Sequence, residues 1–336
     1  MYSATNAAPT LDNGTKVVAG TATFLGTKTF TADITGLTVG TTYHVRAYAM
    51  IDGVTYSTGV KDIVGGDGPQ PMTWTGGKSP KQFSVSATQT VYFSQGNLQY
   101  MGSTGTWKFA DHQFDFLGNN GQGSTSETAD RDLFGWGTSG YNHGATCYQP
   151  WSTSTSYDYY AYGSYTNHLY SSDGTADWGA NAISNGGGGS WRTLTGSSSG
   201  EWYYLIYSRP NAASLYGMGK VGSCTPGLII LPDDWKWEGD VAGFETSWKP
   251  GVSSWSNVYS YSDWAKMEAA GAVFLPAAGY RNGTSVDRVG SAGYYWSSSY
   301  RYSDSACGLD VGTADISPSV DRKRYRGLSV RLVSEN

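Results

Sequence analysis

The chain has 336 residues, 39% of them hydrophobic, enough to bury a sizeable core and too many for a disordered chain. With 22 Lys and Arg against 27 Asp and Glu, a formal charge of −5 and no basic run, it lacks the basic footprint of a nucleic-acid binder. Charged residues make up only 15%, while 46 Gly, 26 Tyr and 13 Trp favour short strands and contact surfaces.

Residues 1–63 are rich in Thr and Val and alternate apolar with polar side chains, the pattern of half-buried strands. A strand over 29–34 runs into a turn at 36–40. A second strand spans 42–49, and Asp52-Gly53 turns a hairpin into Val54-Thr55-Tyr56. The residues Gly36-Leu37-Thr38-Val39-Gly40-Thr41-Thr42-Tyr43-His44-Val45 resemble the last strands of a fibronectin type III or immunoglobulin-like sandwich, where a tyrosine corner precedes such a strand. That resemblance implies a small all-β Ig-like, partial fibronectin III-like domain over residues 1–63, shorter than a full sandwich and suited to act as a spacer. The Gly and Pro cluster at 64–71 opens an interdomain linker over 64–80.

From residue 81 to 336 a second domain follows. Short strands are expected at 83–86, 91–94 and 107–109, and residues 118–190 are crowded with Gly, Ser, Asn and Tyr without periodicity. A Ser-rich cap leads into a helix over 197–208, with Trp202, Leu205 and Ile206 on one face. A second helix over 262–270 begins at an N-cap Ser262 and ends at Gly271. The apolar runs 228–232 and 272–276 read as buried strands, and 328–333 as a last strand with Leu and Val inward and Ser and Arg outward. No apolar run approaches the ~20 residues of a membrane helix, so no direct membrane span is expected. A basic, cleavable N-terminal stretch is also absent, and any signal or anchor is expected outside this chain.

Motifs for chemistry are sparse. His44, His112, His143 and His168 have no metal-ligand spacing, and Cys147, Cys224 and Cys307 form no CxxC pair. Neither a metal nor another cofactor is expected. Asp233-Asp234 beside Trp235 and Trp237 is a weak glycosidase signal, because adjacent carboxylates on a turn point apart. Asp173-Gly174-Thr175-Ala176-Asp177 lacks the spacing and closing Glu of an EF-hand. No GxSxG elbow, P-loop or GxGxxG fingerprint follows a strand, so no catalytic residue is assigned.

The C-terminal region is the most informative. The aromatic block Gly293-Tyr294-Tyr295-Trp296-Ser297-Ser298-Ser299-Tyr300 precedes a stretch, 301–322, without Trp, Met, Gln, Glu, Lys or Asn. Every residue in it is one that a codon with free first and second bases and a fixed third-position C can encode. The ordered set Trp178-Gly179-Ala180-Asn181, Trp191-Arg192-Thr193-Leu194-Thr195, Glu201-Trp202, Leu231-Pro232-Asp233-Asp234-Trp235, Phe274-Leu275-Pro276-Ala277-Ala278-Gly279-Tyr280-Arg281, Tyr295-Trp296-Ser297-Ser298 and Ser329-Val330-Arg331-Leu332 resembles variable proteins of diversity-generating retroelements, of the type found in Bacteroidetes and gut phages.

The resemblance covers about residues 80 to 334. It implies an α+β, C-type lectin-like fold, related to that of formylglycine-generating enzyme, with a variable region at about 301–326. In that family a template is copied with errors at adenines, so Asn codons change while a framework stays fixed. Tyr295, Trp296, Ser297, Ser298, Tyr300, Arg324, Tyr325, Gly327, Ser329, Val330 and Arg331 match the framework. Arg301, Tyr302, Asp304, Ser305, Cys307, Gly308, Asp310, Asp315, Ser317, Ser319, Val320, Asp321, Arg322 and Arg326 fall at variable positions and are the expected ligand-binding residues. Tyr302 is expected as an aromatic anchor, and Gly308, Asp310 and Gly312 as outward-facing opposite a buried Leu309 and Val311.

The resemblance implies a non-enzymatic, receptor- or adhesion-type protein at the cell or virion tail surface that binds a protein or other surface ligand. Its variable positions are expected to be exposed and freely replaceable. The cysteine pair of the enzyme branch and the Glu-Pro-Asn, Gln-Pro-Asp and Trp-Asn-Asp motifs of sugar-binding lectins are absent. A carbohydrate-active or formylglycine-generating-type enzyme and a structural surface protein stand as the alternatives. The sequence assigns no oligomeric state.

Overall fold

The computed structural model describes residues 1–18, 34, 37–38, 41–64, 68–69, 72, 74–138, 149–156, 160, 191–222, 225–251 and 254–335. All but the last residue of the expected strand at 29–34, most of the turn at 36–40, the tract 173–183, and His143, His168, Cys147 and Cys224 lie outside the described residues. The chain divides into two compact units, Met1–Gln70 and Pro71–Asn336. Part of the expected linker is built into the second unit. Trp74 is buried with its indole N–H donating to the Glu268 carbonyl at 2.9 Å, and the Ser79 amide donates to the Phe93 carbonyl at 2.7 Å.

In the first unit, β1 (Tyr2–Ser3), β2 (Thr42–Val45), β3 (Tyr48–Ile51), β4 (Val54–Ser57) and β5 (Lys61–Val64) form an antiparallel β1-β2-β5 sheet and a separate β3-β4 hairpin. Asp52 and Gly53 both have positive φ, 49° and 76°, the requirement of a two-residue type I′ turn. Tyr43 is buried, and its hydroxyl accepts the Thr38 amide at 3.0 Å.

The second unit is β-rich, with β6 (Phe83–Ser84), β7 (Thr90–Phe93), β8 (Leu98–Met101) and β9 (Thr106–Phe109) leading to α1 (Glu201–Tyr203). There follow β10 (Tyr216–Val221), β11 (Thr225–Ile230), β12 (Asn257–Tyr259), α2 (Tyr261–Ala269), β13 (Val273–Pro276), β14 (Tyr280–Asn282) and β15 (Ser285–Asp287). The chain ends in β16 (Gly293–Tyr302), β17 (Ser305–Val311), β18 (Ile316–Lys323) and β19 (Val333–Ser334). The central sheet has the order β12-β10-β11-β13, and β19 pairs antiparallel with β7.

Helix α1 continues as a π-helical turn over Tyr204–Ser208 and buries Trp202, Leu205 and Ile206. Its start is fixed by reciprocal bonds: the Glu201 amide donates to Thr195 Oγ1 at 2.9 Å, and the Thr195 amide to Glu201 Oε2 at 2.8 Å. Arg192 forks onto the same carboxylate at 2.6 and 2.7 Å. Helix α2 begins two residues earlier than Ser262 would dictate, because Ser260 is the cap that accepts the Asp263 amide.

Strand β16 separates two cores. Tyr295 packs with Phe93, Trp202, Leu309 and Val311, whereas Tyr294 and Trp296 pack with Phe134, Trp136, Trp191 and Leu328. The outward assignment of Ser329 and Arg331 fails for the same reason: the segment 328–333 is covered on both faces, and both residues are fully buried. Among the described residues, no helix is long and apolar enough to cross a membrane.

Asp132 is buried, accepts the Leu117 amide at 2.6 Å and pairs with the Gln122 side-chain amide. Burial pushes its pKa from 3.8 up to about 6. The folded state thus holds this proton more tightly than the unfolded state, so the contribution to stability is full below pH 4 and is lost as pH rises through 6. At about 1.4 kcal/mol per unit the full amplitude is about 3 kcal/mol. Denaturant unfolding across pH 4 to 7 should show this fall, and Asp132→Asn should flatten it. A fall unchanged in the variant would assign it to other groups, of which Glu268, also raised by burial, is the first.

Candidate ligand-binding cleft

Strands β16, β17 and β18 form an antiparallel meander with β17 in the middle. Its β16 edge is framework: the Tyr295 hydroxyl donates to the Pro276 carbonyl at 2.6 Å, the Trp296 indole N–H to Phe134 at 2.6 Å, and the Trp136 indole N–H to Ser297 at 2.9 Å. The register sets Asp310 opposite Tyr294 on one side and Ser317 on the other, with a bulge between Gly308 and Asp310.

Beside this meander lies a cleft of about 570 Å³. Four of the expected ligand-binding residues, Asp310, Asp315, Arg322 and Arg326, line it together with Tyr280, Arg288, Ser291 and Tyr294. Its wall is a ladder of cations and rings. The Arg326 guanidinium lies 5.2 Å from the Tyr280 ring, the Tyr280 and Tyr294 rings meet edge to face at 5.2 Å, and the Arg322 guanidinium lies 5.2 Å from the Tyr294 ring. Arg322 also forks onto Asp310, with Nε 3.1 Å from Oδ1 and Nη2 paired to Oδ2. Burial pulls the Arg322 pKa down, and the charges of Arg326 and Arg288 act in the same direction, against the opposing influence of Tyr294 and Tyr280.

Arg288 enters the cleft from the turn after β15 with φ at 60°, a left-handed conformation that costs a non-glycine residue about 1 kcal/mol. Its carbonyl accepts the Ser291 and Ala292 amides at 3.0 and 3.1 Å and the Ser291 hydroxyl at 3.0 Å, which holds the turn. Among the described residues, neither Arg288 nor Arg326 forms an ion pair. Arg326 Nε is buried without a hydrogen-bond acceptor.

A second group sits at the far end of the meander. Arg301 pairs with Asp321 at 3.2 Å and lies over the Tyr302 ring at 5.1 Å, Lys323 pairs with Asp304, and Tyr302 is 54% exposed. Ser319 and Asp321 are exposed, and Ser317 and Val320 half-buried, along β18.

Three expected ligand-binding residues are not on the surface. Ser305, Cys307 and Gly308 are buried, because β17 is the middle strand and is covered on both faces. Burial also holds the Cys307 thiol up at about 11. A Cβ on Gly308 would lie 2.9 Å from the Tyr295 carbonyl oxygen, with Arg322 Cγ next at 3.7 Å. The outward assignments of Gly308, Asp310 and Gly312 are corrected accordingly: Gly308 is interior, and Asp310 and Gly312 are half-buried, while Leu309 and Val311 do face the core.

Sequence reasoning missed Arg288 as a cleft residue, and treated Tyr280 and Tyr294 only as framework. The weak glycosidase signal dissolves into structural pairs, since Asp233 bonds Arg209 at 2.9 Å and Asp234 bonds Lys81 at 2.6 Å. Among the described residues, no group of three His, Cys, Asp or Glu side chains is arranged to hold a metal ion. Comparison of the chain with protein-family models, curated proteins and solved structures returns no match.

Gly308→Val should destabilise the protein by about 1–3 kcal/mol through overpacking against the Tyr295 carbonyl. Ser319→Ala, on the exposed edge, should stay within about 0.5 kcal/mol. Asp310→Ala should cost about 1 kcal/mol by stripping Arg322 of its counter-charge. Denaturant titrations of the three variants check the order, and equal midpoints would show that position 308 tolerates side chains as an open site does.

Proposed function

We propose that this chain is a ligand-binding protein of the receptor or adhesion type, diversified by a retroelement. In this reading a C-type lectin-like domain over residues 81–336 follows an Ig-like spacer and presents its variable region, about 301–326, to a protein or other surface ligand. The observation that carries the reading is the convergence of Asp310, Asp315, Arg322 and Arg326 on one cleft, beside a scaffold strand buried along most of its length. Four of the fourteen residues that the resemblance assigns to variable positions come together there with Tyr280 and Tyr294. Tyr, Asp, Arg and Ser suit recognition, because Tyr gives contact area at low entropic cost and the polar groups adapt their hydrogen bonds.

The bond from the Thr38 amide to the Tyr43 hydroxyl supports the spacer reading: it is the contact by which a tyrosine corner ties a loop to the following strand. The reading locates the protein on a cell or virion tail surface, where a binding face is useful.

Two measurements test it. The flanking DNA should carry a reverse-transcriptase gene and a near-copy of the codons for residues 301–326 with adenines at the diversified positions; without that copy the retroelement is excluded. The second is an exchange of positions 301, 302, 304, 310, 315, 317, 319, 321, 322 and 326 for those of a sibling with a known ligand, leaving 305, 307 and 308 unchanged. The folded chimera should bind the sibling's ligand. A chimera with an intact melting transition and no such binding would remove recognition from this face.

A further inference from the structure

We propose that the cleft framed by Tyr280, Tyr294, Arg288 and Arg326 is a carboxylate subsite, so that a protein ligand is engaged through an Asp, Glu or chain-terminal carboxylate on an exposed segment. This rests on the binding-protein reading and adds the chemistry of what is bound.

The charge arrangement comes first. Three arginines line the cleft, and the Asp310 carboxylate is already engaged by the fork from Arg322. Among the described residues, neither Arg288 nor Arg326 forms an ion pair, although the chain carries a formal charge of −5. Arg326 Nε is a buried donor without an acceptor, a condition that native structures rarely leave standing unless water or a ligand meets it. A carboxylate presents two oxygens in the plane that a guanidinium reads, and such charge-assisted bonds are about twice as strong as neutral ones.

The walls narrow the class further. Tyr280 and Tyr294 give ring faces and edges for the stem that carries the anion. The volume, about 570 Å³, holds one or two side chains and no folded element. Asp315 at the exposed rim adds a negative charge, which disfavours a doubly charged phosphate more than a singly charged carboxylate. Among the described residues, no Asn, Gln, His or Trp lines the cleft, Thr313 and Ser291 are its aliphatic hydroxyls, and the Ser291 hydroxyl donates to the Arg288 carbonyl. The lining thus offers few of the neutral groups that read sugar hydroxyls, and the peptide source is favoured over an acidic glycan.

The test is selection of a displayed library of random peptides on the full chain, in parallel with Arg288→Gln/Arg326→Gln and with Lys236→Gln, an exposed site outside the cleft. Wild type and Lys236→Gln should enrich Asp, Glu or a free C-terminus roughly tenfold over the unselected library, the factor expected for one charge-assisted bond. The double variant should lose that bias. Binding of the wild-type peptides should also weaken as pH falls from 6 to 3, below the carboxylate range, where their carboxylates protonate. If the double variant fails to melt like wild type, Arg326→Lys, which keeps the charge and loses the fork, should reduce enrichment on its own.

Selection without an acidic bias, a bias that survives the double variant, or no selection at all overturns the carboxylate subsite. Retention of sialylated or uronate-bearing glycans in place of peptides overturns the peptide source. None of these outcomes touches the chimera experiment, whose failure would instead remove the receptor reading.

Discussion

The fold of the second unit turns on a buried cation. Arg331 is fully buried, and its guanidinium donates to Asn97 Oδ1 and the Ser94 carbonyl at 3.0 Å and to the Phe274 carbonyl. Among the described residues, no carboxylate pairs with it. Burial depresses its pKa to about 10, which leaves it charged at neutral pH, and an unpaired buried charge costs several kcal/mol unless dipoles surround it. The carbonyls that do so come from segments far apart in sequence, so satisfying one guanidinium fixes the 94–97 segment, β13 and the chain end together. Gln113 extends the network: it accepts the Phe274 amide at 2.8 Å and donates to Glu268 and to the Ala272 carbonyl, both at 3.0 Å. Glu268 in turn accepts the Trp264 indole N–H at 3.2 Å, which ties α2 to the same centre.

This centre brackets the meander. Before it, β16 is anchored through Tyr295 and Trp296. After it, the chain returns through bridges from Leu328 to Phe134 and from Ser329 to Tyr295, and closes with β19 on β7. With both ends held by buried bonds, the outer strand β18 buries only Ile316 and Pro318 and leaves Ser319 and Asp321 exposed, whereas β17 is buried at every position but Asp310. Its residues meet neighbours on both faces, so a position there is constrained by volume whatever its codon permits.

Legibility from sequence follows the same physics. The helices were readable in place but not at their starts: Trp202, Leu205 and Ile206 are all buried, yet α1 begins at Glu201 after Gly200 rather than in the Ser-rich stretch, and the α2 cap is Ser260, two residues before Ser262. The apolar runs of β11 and β13 were readable because strands covered on both faces tolerate no polar alternation. The segment 328–333 was misread for the complementary reason. Ser329 and Arg331 mimic a solvent face, and only the distant carbonyls of Ser94 and Phe274 reveal that the polar group is satisfied inside. The resemblance assigned Asp310, Arg322 and Arg326, which line the cleft, to variable positions, but it is blind to burial and assigned the buried Ser305, Cys307 and Gly308 in the same way. Arg288 carried no signal at all, since a left-handed arginine in a short turn looks like any charged loop residue.

The geometry also limits how independently the cleft positions can change. Arg322 sits opposite Ala306 in register, yet its guanidinium reaches Asp310, farther along β17. With Gly308 between them, the nearest side-chain atom to a Cβ there would be Arg322 Cγ. The pair at 310 and 322 therefore depends on a third position that offers no side chain. An acidic residue at 310 is stabilised by a cation at 322, and a cation at 322 without it would stand beside Arg326 and Arg288 with only Asp315 at the rim to offset the three charges. Such contacts couple substitutions that would add independently if they were remote. If diversification rewrites these positions, the sequences that fold with an ordered cleft are a correlated subset of those it can write. Tyr280 and Tyr294, outside the rewritten stretch, then supply the constant surface against which each charge pattern is presented.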